Sequence, residues 1–436
     1  MSAFQTDLYQ FTMAAGYFAA GKVNDVGVFE LFVRRLPPQR DYLIAVGLQQ
    51  AVDYLLNLAF TQEHISYLKS LAQFANAQPA FWDYLLAFRF SGDLFAMPEG
   101  TPFFAGEPIV TVRAPIIEAQ LAETYLLSTL GFQSMIAAKA ARIVAVAQGR
   151  AVVEFGTRRA HGPEAGVLAG RAAYIGGCIG TSNVEAGMRF QIPLFGTSAH
   201  SWVLAFAEET EAFRALQQLL GRGTVYLIDT YDTVEGARRA VGLGPPLWGV
   251  RLDSGDLVEL SREVRKILDD AGFHEAKVMA TSDLNEYRIA ELLSAGAPID
   301  VFGVGTDLAT SSDAPAVSAV YKLVELESEG TRRYTAKYSP EKQTLPGAKQ
   351  VFRFPTKDIV GGNTECTPGS RADGPAEALL RPVILGGQLA EALPSATQAR
   401  TWCAAALQKI AGSNHQIRYS DELLQRADEH NRTFHQ

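Results

Sequence analysis

The sequence predicts an α/β fold centred on a barrel of parallel strands, with an α+β N-terminal domain before it and a C-terminal segment after it. Three observations point there. From Arg150 onward, apolar runs of four to seven residues alternate with amphipathic helical segments, each run ends in a small or polar cluster, and seven such runs follow one another. They read AVVEFGTR, AAYIGGCIGTSN, IPLFGTSAH, VYLIDTYDT, WGVRLDSGD, KVMATSDLN and DVFGVGTDL, with helical stretches such as LVELSREVRKILDDAGF between them. Because every polar cluster follows its run, all of them belong to one end of the sheet. A barrel gathers such ends on its C-terminal face. An open doubly wound sheet with its site at a switch point is the alternative, but seven successive strands with polar chemistry at every end fit a ring better.

The flanks differ in texture. Residues 1–112 mix β-rich pieces (VGVFELFVRRL, GDLFAMPEGTPFF, EPIVTVRAP) with helices, as an α+β domain does. Residues 113–325 hold the barrel. Residues 326–436 form a polar, turn-rich segment (YTAKYSPEKQTLPGAKQVFRF, TECTPGSRADGP) that becomes a helical tail from Ser395 and is expected to pack on the N-terminal domain.

At 436 residues the chain exceeds one ordinary core. A net charge of −8 argues against a nucleic-acid surface. Cys178, Cys366 and Cys403 lie far apart without a CxxC pair, which fits neither a disulfide framework nor a zinc knuckle and suits a reducing cytosol. The most apolar helical stretch, LAETYLLSTLGFQSMIAAKAARIVAVA, is interrupted by Glu123, Lys139 and Arg142, so no membrane span is expected. Asp7 and the lack of a basic start argue against a signal peptide. The expectation is a cytoplasmic protein.

No GxxxxGK[ST] loop, no GxGxxG after a strand and no HExxH occurs. A phosphate site would have to be built from glycine turns whose backbone N–H groups cradle oxyanions: Gly176-Gly177, Gly180-Thr181-Ser182, or Gly303, Gly305 and Thr306. Turns need glycine in any case; repetition on one face is what strengthens the signal. Arg158 and Arg159 follow a strand and suit an anion clamp, or a plain surface pair. Arg251 and Asp253, two apart on a strand, share a face. They can hold a phosphate and a sugar diol, or simply pair with each other. Asp229, Asp232, Asp283 and Glu286 can hold Mg²⁺ through water or cap helices; the Ser282-Asp283 start favours capping for Asp283, and Asp256 lies within six residues of Arg251. His200, in the small turn GTSAHSW, suits a general base or a phosphoryl acceptor. His161 is the one other histidine in a neighbouring turn, so a metal site is the weaker option.

Taken together, TDLYQFTM, EFGTRRAHG, GGCIGTSN, GTSAHSW, LIDTYDT, RLDSGD and FGVGTDL resemble the nicotinate phosphoribosyltransferase family in order and spacing, from Thr6 to about Arg353. The resemblance implies an irregular α/β barrel in a homodimer with active sites at the subunit interface. It implies a reaction joining nicotinate to 5-phosphoribosyl 1-pyrophosphate, with Mg²⁺ on the pyrophosphate and coupled hydrolysis of ATP as co-substrate, in NAD salvage. His200 matches a transiently phosphorylated histidine. Phe155 matches the aromatic stacked on the pyridine ring, and Tyr9 a tyrosine that the partner subunit lays over the other face. Arg158 matches an arginine near base and ribose, Arg251 and Asp253 the pair contacting phosphate and ribose, and Gly303, Gly305 and Thr306 the 5′-phosphate turn. Ser282 and Asp283 complete the substrate-binding candidates. Lys337, Lys342 and Lys349 are expected to be flexible and to reach a phosphate tail across the dimer. Ser182 stands where nicotinamide-using relatives place an aspartate. A hydroxyl donates to nicotinate's carboxylate where an aspartate would repel it, favouring the acid by roughly 10²-fold or more. A nicotinamide or quinolinate phosphoribosyltransferase, or a non-catalytic nucleotide sensor, are the rival readings.

Overall fold

The computed structural model describes residues 2–339, 342–365, 375–410 and 415–434, so Cys366 lies outside the described residues. The chain forms two compact units, one of residues 1–134, 316–394 and 401–436, the other of 135–315 and 395–400. The boundaries expected at 112 and 325 fall inside the strands Pro108–Pro115 and Ala319–Ser328. Both strands pair antiparallel with Val26–Val33, so a division there would cut two backbone ladders.

The first unit is built on a seven-stranded sheet with Val26–Val33 near its centre. A four-stranded sheet comes largely from the C-terminal segment: Glu377–Ala378, Lys349–Arg353, Lys357–Gly362 and Gln416–Tyr419. The tail is therefore not helix alone, because Gln416–Tyr419, lying between the helices Ala396–Ile410 and Asp421–Phe434, pairs parallel with Lys357–Gly362. Among the described residues no helix is long and apolar enough to cross a membrane.

The second unit holds a six-stranded parallel sheet. Its strands, numbered along the chain, are β1 (Ala151–Glu154), β2 (Gly180–Thr181), β3 (Val225–Leu227), β4 (Gly249–Leu252), β5 (Lys277–Ala280) and β6 (Val301–Val304). In space they run β2-β1-β6-β5-β4-β3. The third apolar run, IPLFGTSAH, adds only a single bridge, Leu194 to Thr181, beyond β2 among the described residues. Pro193 has no N–H to extend it, so pairing is limited to the Thr181 N–H on the Pro193 carbonyl and the Phe195 N–H on the Thr181 carbonyl. The order is cyclic, as in a ring of successive parallel strands. One seam, between the Leu194 run and β3, carries no ladder among the described residues.

Side chains alternate across these strands. One face buries Val153, Met279 and Val301, with Phe155, Ile179, Phe195 and Trp248 packed against them. Arg251 is in register with Met279, so it shares that face at the same level as Met279 and Val301. Four helices leave the strand ends through Asx caps: Asn183, Asp232, Asp256 and Asn285 each accept from a backbone N–H in the first turn that follows.

Candidate functional site

The polar groups above the apolar cluster converge on the ends of β4 and β5. The Arg251 guanidinium reaches Asp253 Oδ1 at 3.4 Å. It donates from Nε to Thr281 Oγ1 (3.2 Å) and from a terminal nitrogen to Thr197 Oγ1 (2.6 Å) and the Ser198 carbonyl (3.2 Å). The two-residue spacing does place arginine and carboxylate side by side. Asp229, its side chain 1% exposed, accepts from the Asp253 N–H at 3.0 Å and the Ser254 hydroxyl at 2.5 Å, which anchors the turn after β4.

His200 opens the short helix His200–Leu204, directly after the Leu194 bridge and its turn. Its Nδ1 lies 3.2 Å from Thr230 Oγ1, at the end of β3 on the far side of the seam. Its Nε2 faces Asp253 Oδ2 at 3.7 Å and Asp229 Oδ1 at 4.0 Å, and the ring is 41% exposed. One ring nitrogen is thus oriented, and the other is open toward solvent and two carboxylates.

On the opposite side of the sheet's mouth, the buried Glu154 ends β1 and accepts from Thr181 Oγ1 at 2.5 Å and from the Gly156 N–H. Burial pushes its carboxyl above the ordinary range, and those two hydrogen bonds pull part of the way back. Glu154 therefore locks the Phe155–Gly156 turn to the Thr181–Ser182 turn, and its carbonyl takes the Ser182 N–H at 3.0 Å. The Phe155 ring lies over Gly303: a Cβ there would come within 2.6 Å of Thr281 Cγ2 and 2.7 Å of the ring. Gly305 then turns the chain into the helix Thr306–Thr310. Arg158 is exposed in a one-turn helix and has no hydrogen-bond or ion-pair partner among the described residues.

Some expectations fail. Asp283 does not cap the following helix; Asn285 does. Ser282 and Asp283 instead adopt left-handed backbone, φ +85° and +44°, unusual for residues with a side chain. That turn swings them to a cavity of about 450 Å³ shared with Gly255, Asn285 and Arg288. Asp232 and Asp256 are engaged as caps. Tyr9, expected to serve the partner subunit's site, donates its hydroxyl to Glu123 at 3.1 Å within its own chain. Lys349 is not flexible: it is buried with its Nζ 2.7 Å from Glu30 and donates to the Leu345 and Gly347 carbonyls. Sequence reasoning passed over Glu154, Thr197, Thr230 and Thr281, because a threonine or glutamate at a strand end has no signature of its own.

A guanidinium fixed beside a carboxylate at the strand ends of an α/β sheet suits a ligand carrying both an anion and hydroxyls, as in the class of α/β enzymes that handle phosphorylated sugars. Comparison with known proteins narrows this. Residues 4–131 match the nicotinate phosphoribosyltransferase N-terminal domain, and residues 151–339 match the nicotinate phosphoribosyltransferase family. A nicotinate phosphoribosyltransferase of Mycobacterium tuberculosis is 44% identical over 92% of this chain and 86% of its own length. One from Bacillus subtilis is 46% identical over 80% of this chain and 72% of its own. The crystal structure of the human nicotinic acid phosphoribosyltransferase superposes with a TM-score of 0.84 at 28% identity, covering 97% of this chain and 99% of that one. The chain belongs to the nicotinate phosphoribosyltransferase family.

Proposed function

We propose that this protein joins nicotinate to 5-phosphoribosyl 1-pyrophosphate, giving nicotinate mononucleotide and pyrophosphate, with coupled ATP hydrolysis through a phosphorylated His200. The observation that carries the reading is the Arg251–Asp253 pair facing an open His200 nitrogen. In the transfer, the pyridine nitrogen attacks the anomeric carbon, the bond from that carbon to the pyrophosphate oxygen breaks, and pyrophosphate leaves. The nitrogen is already nucleophilic and needs no general base. Asp253 stabilises the positive charge developing on the ribose. Arg251 and the Gly303, Gly305, Thr306 turn take phosphate oxygens, and Ser282 and Asp283, on the neighbouring cavity, remain substrate-binding candidates. Phe155 lies under the pyridine ring, Ser182 donates to nicotinate's carboxylate, and Arg158 lies near the base and ribose. In a homodimer with shared sites, Tyr9 of the partner subunit covers the ring's other face. Among the described residues no three His, Cys, Asp or Glu side chains gather as a metal site. In this reading Mg²⁺ would be carried on the substrate's diphosphate and would neutralise the leaving charge there.

For ATP, the tautomer with Nδ1 donating to Thr230 leaves the Nε2 lone pair free. That nitrogen bonds the γ-phosphorus as the bond to ADP's oxygen breaks, and water later takes the phosphoryl group. The test mixes protein, nicotinate, phosphoribosyl pyrophosphate and Mg²⁺ with and without ATP, following mononucleotide and ADP. Product that rises with ATP, and an acid-labile phosphate lost in His200→Ala, is the expected result. Equal product without ATP would remove the phosphohistidine and keep the transferase. A nicotinate-nucleotide pyrophosphorylase from Pyrococcus furiosus also superposes, with a TM-score of 0.76. Parallel assays with quinolinate and nicotinamide therefore belong beside it, and product from one of these alone would overturn the choice of base.

A further inference from the structure

Thr281 follows β5 directly and is 5% exposed. Its one hydroxyl meets both members of the pair assigned above to the sugar phosphate. Oγ1 accepts from Arg251 Nε at 3.2 Å and donates to Asp253 Oδ1, a charge-assisted bond. The Leu252 carbonyl, at 3.2 Å, is the weaker acceptor for the same proton. Its backbone N–H is tied to that carbonyl at 2.9 Å, and its methyl fills the space that Gly303 leaves. The side chain is thus fixed at three points.

The consequence falls on Asp253. Its two oxygens are made unequal: Oδ1 is taken by Thr281 and Arg251, while Oδ2 is left facing His200 Nε2 at 3.7 Å. We propose that Thr281 is a positioning residue that holds the Arg251–Asp253 pair in register and turns Asp253 Oδ2 toward the reacting centre. Thr197 does the complementary service on the other side of the guanidinium, at 2.6 Å, tying it to the turn that carries His200. A hydroxyl that accepts from the cation and donates to the anion at once matches both charges. A valine of the same shape can do neither.

This inference rests on the transferase reading, and its test separates the two. Thr281→Val keeps the methyl against Gly303 and removes the hydroxyl; Thr281→Ser keeps the hydroxyl and removes the methyl. With the pair misaligned, Thr281→Val should lose roughly 10- to 100-fold in kcat, with KM for nicotinate changed less than about twofold, as expected for contacts made in the transition state. Thr281→Ser should recover most of kcat. Valine at wild-type kcat, or serine as impaired as valine, overturns the proposal, the latter because packing would then be the cause. Wild-type protein inactive on every pyridine substrate would sink the transferase reading instead. Crystal structures of the variants test the geometry independently of turnover. Asp253 Oδ2 swung away from His200 in the valine variant and retained in the serine variant supports the proposal, and an undisturbed pair in the valine variant overturns it.

Discussion

Gly303 has no side chain because Thr281 and Phe155 occupy the space one would need. Gly303→Ala must displace one or both, at about 1–3 kcal/mol for overpacking. It should lower kcat/KM for nicotinate more than it lowers Tm, which paired kinetics and thermal melts would show. At Ser182 the exchange is electrostatic. Ser182→Asp should weaken nicotinate use by roughly 10²-fold and raise nicotinamide use relative to it, read from kcat/KM on the two bases. Unchanged preference would mean that this turn does not choose the base. At this scale the sequence was legible where periodicity alone decides direction: Arg251 and Asp253 share a face because they are two apart on a strand. Glu154 and Thr281 were not legible, since their roles depend on hydrogen bonds to residues that only the sheet brings near.

Among the elements, the helix Glu123–Val146 is tied to two strand-end segments by buried charge. Lys139, 1% exposed, has its Nζ 2.7 Å from Glu286 and 3.0 Å from Asp313, and Arg142 approaches the same two carboxylates at 3.0 and 3.2 Å. Glu286 opens the helix after the Ser282–Asp283 turn, and Asp313 follows the helix that begins at Thr306. Without Lys139, two carboxylates share the single cation Arg142 in a buried setting, so Lys139→Met should cost about 3 kcal/mol in urea unfolding, and Lys139→Met with Glu286→Gln should recover part of it. Read along the chain, Lys139 is only a charge interrupting an apolar helix; its partners are more than a hundred residues away. The strand–helix alternation was legible from composition because each β run is local. The strands Lys349–Arg353 and Lys357–Gly362 were hidden in a turn-rich stretch, since their sheet is completed by Gln416–Tyr419 from the far tail.

At the scale of the molecule, the C-terminal segment is fastened to the first unit's early sequence through a buried cluster. Asp358 accepts from Arg353 at 2.6 Å and lies 3.1 Å from His415 Nε2, and it shares a hydrogen bond with Glu107. Burial and then the Asp358 charge push Glu107 well above the ordinary carboxyl range; burial also works to raise Asp358, but His415 and Arg353 outweigh it and hold it low. The signs differ. Glu107's stabilisation is complete below the ordinary glutamate value and is lost as pH rises through its raised value. Asp358's is complete above the ordinary aspartate value and is lost as pH falls through its lowered one. Glu107→Gln should therefore flatten the decline of Tm from acid toward neutral pH. Asp358→Asn should cost about 3–5 kcal/mol at pH 7 by leaving Arg353 buried without its anion, both read by melts across pH. In the second unit, the cyclic strand order with one unladdered seam has a mechanical meaning. Among the described residues, neighbouring strands of the six-stranded sheet are joined by backbone ladders, whereas the Leu194 run and β3 are not, so separation costs little there, where His200 and Thr230 face each other. A group added to that imidazole would act as a wedge at this seam. Deuterium uptake by the backbone of residues 225–230 should then rise when ATP is supplied and stay level in His200→Ala.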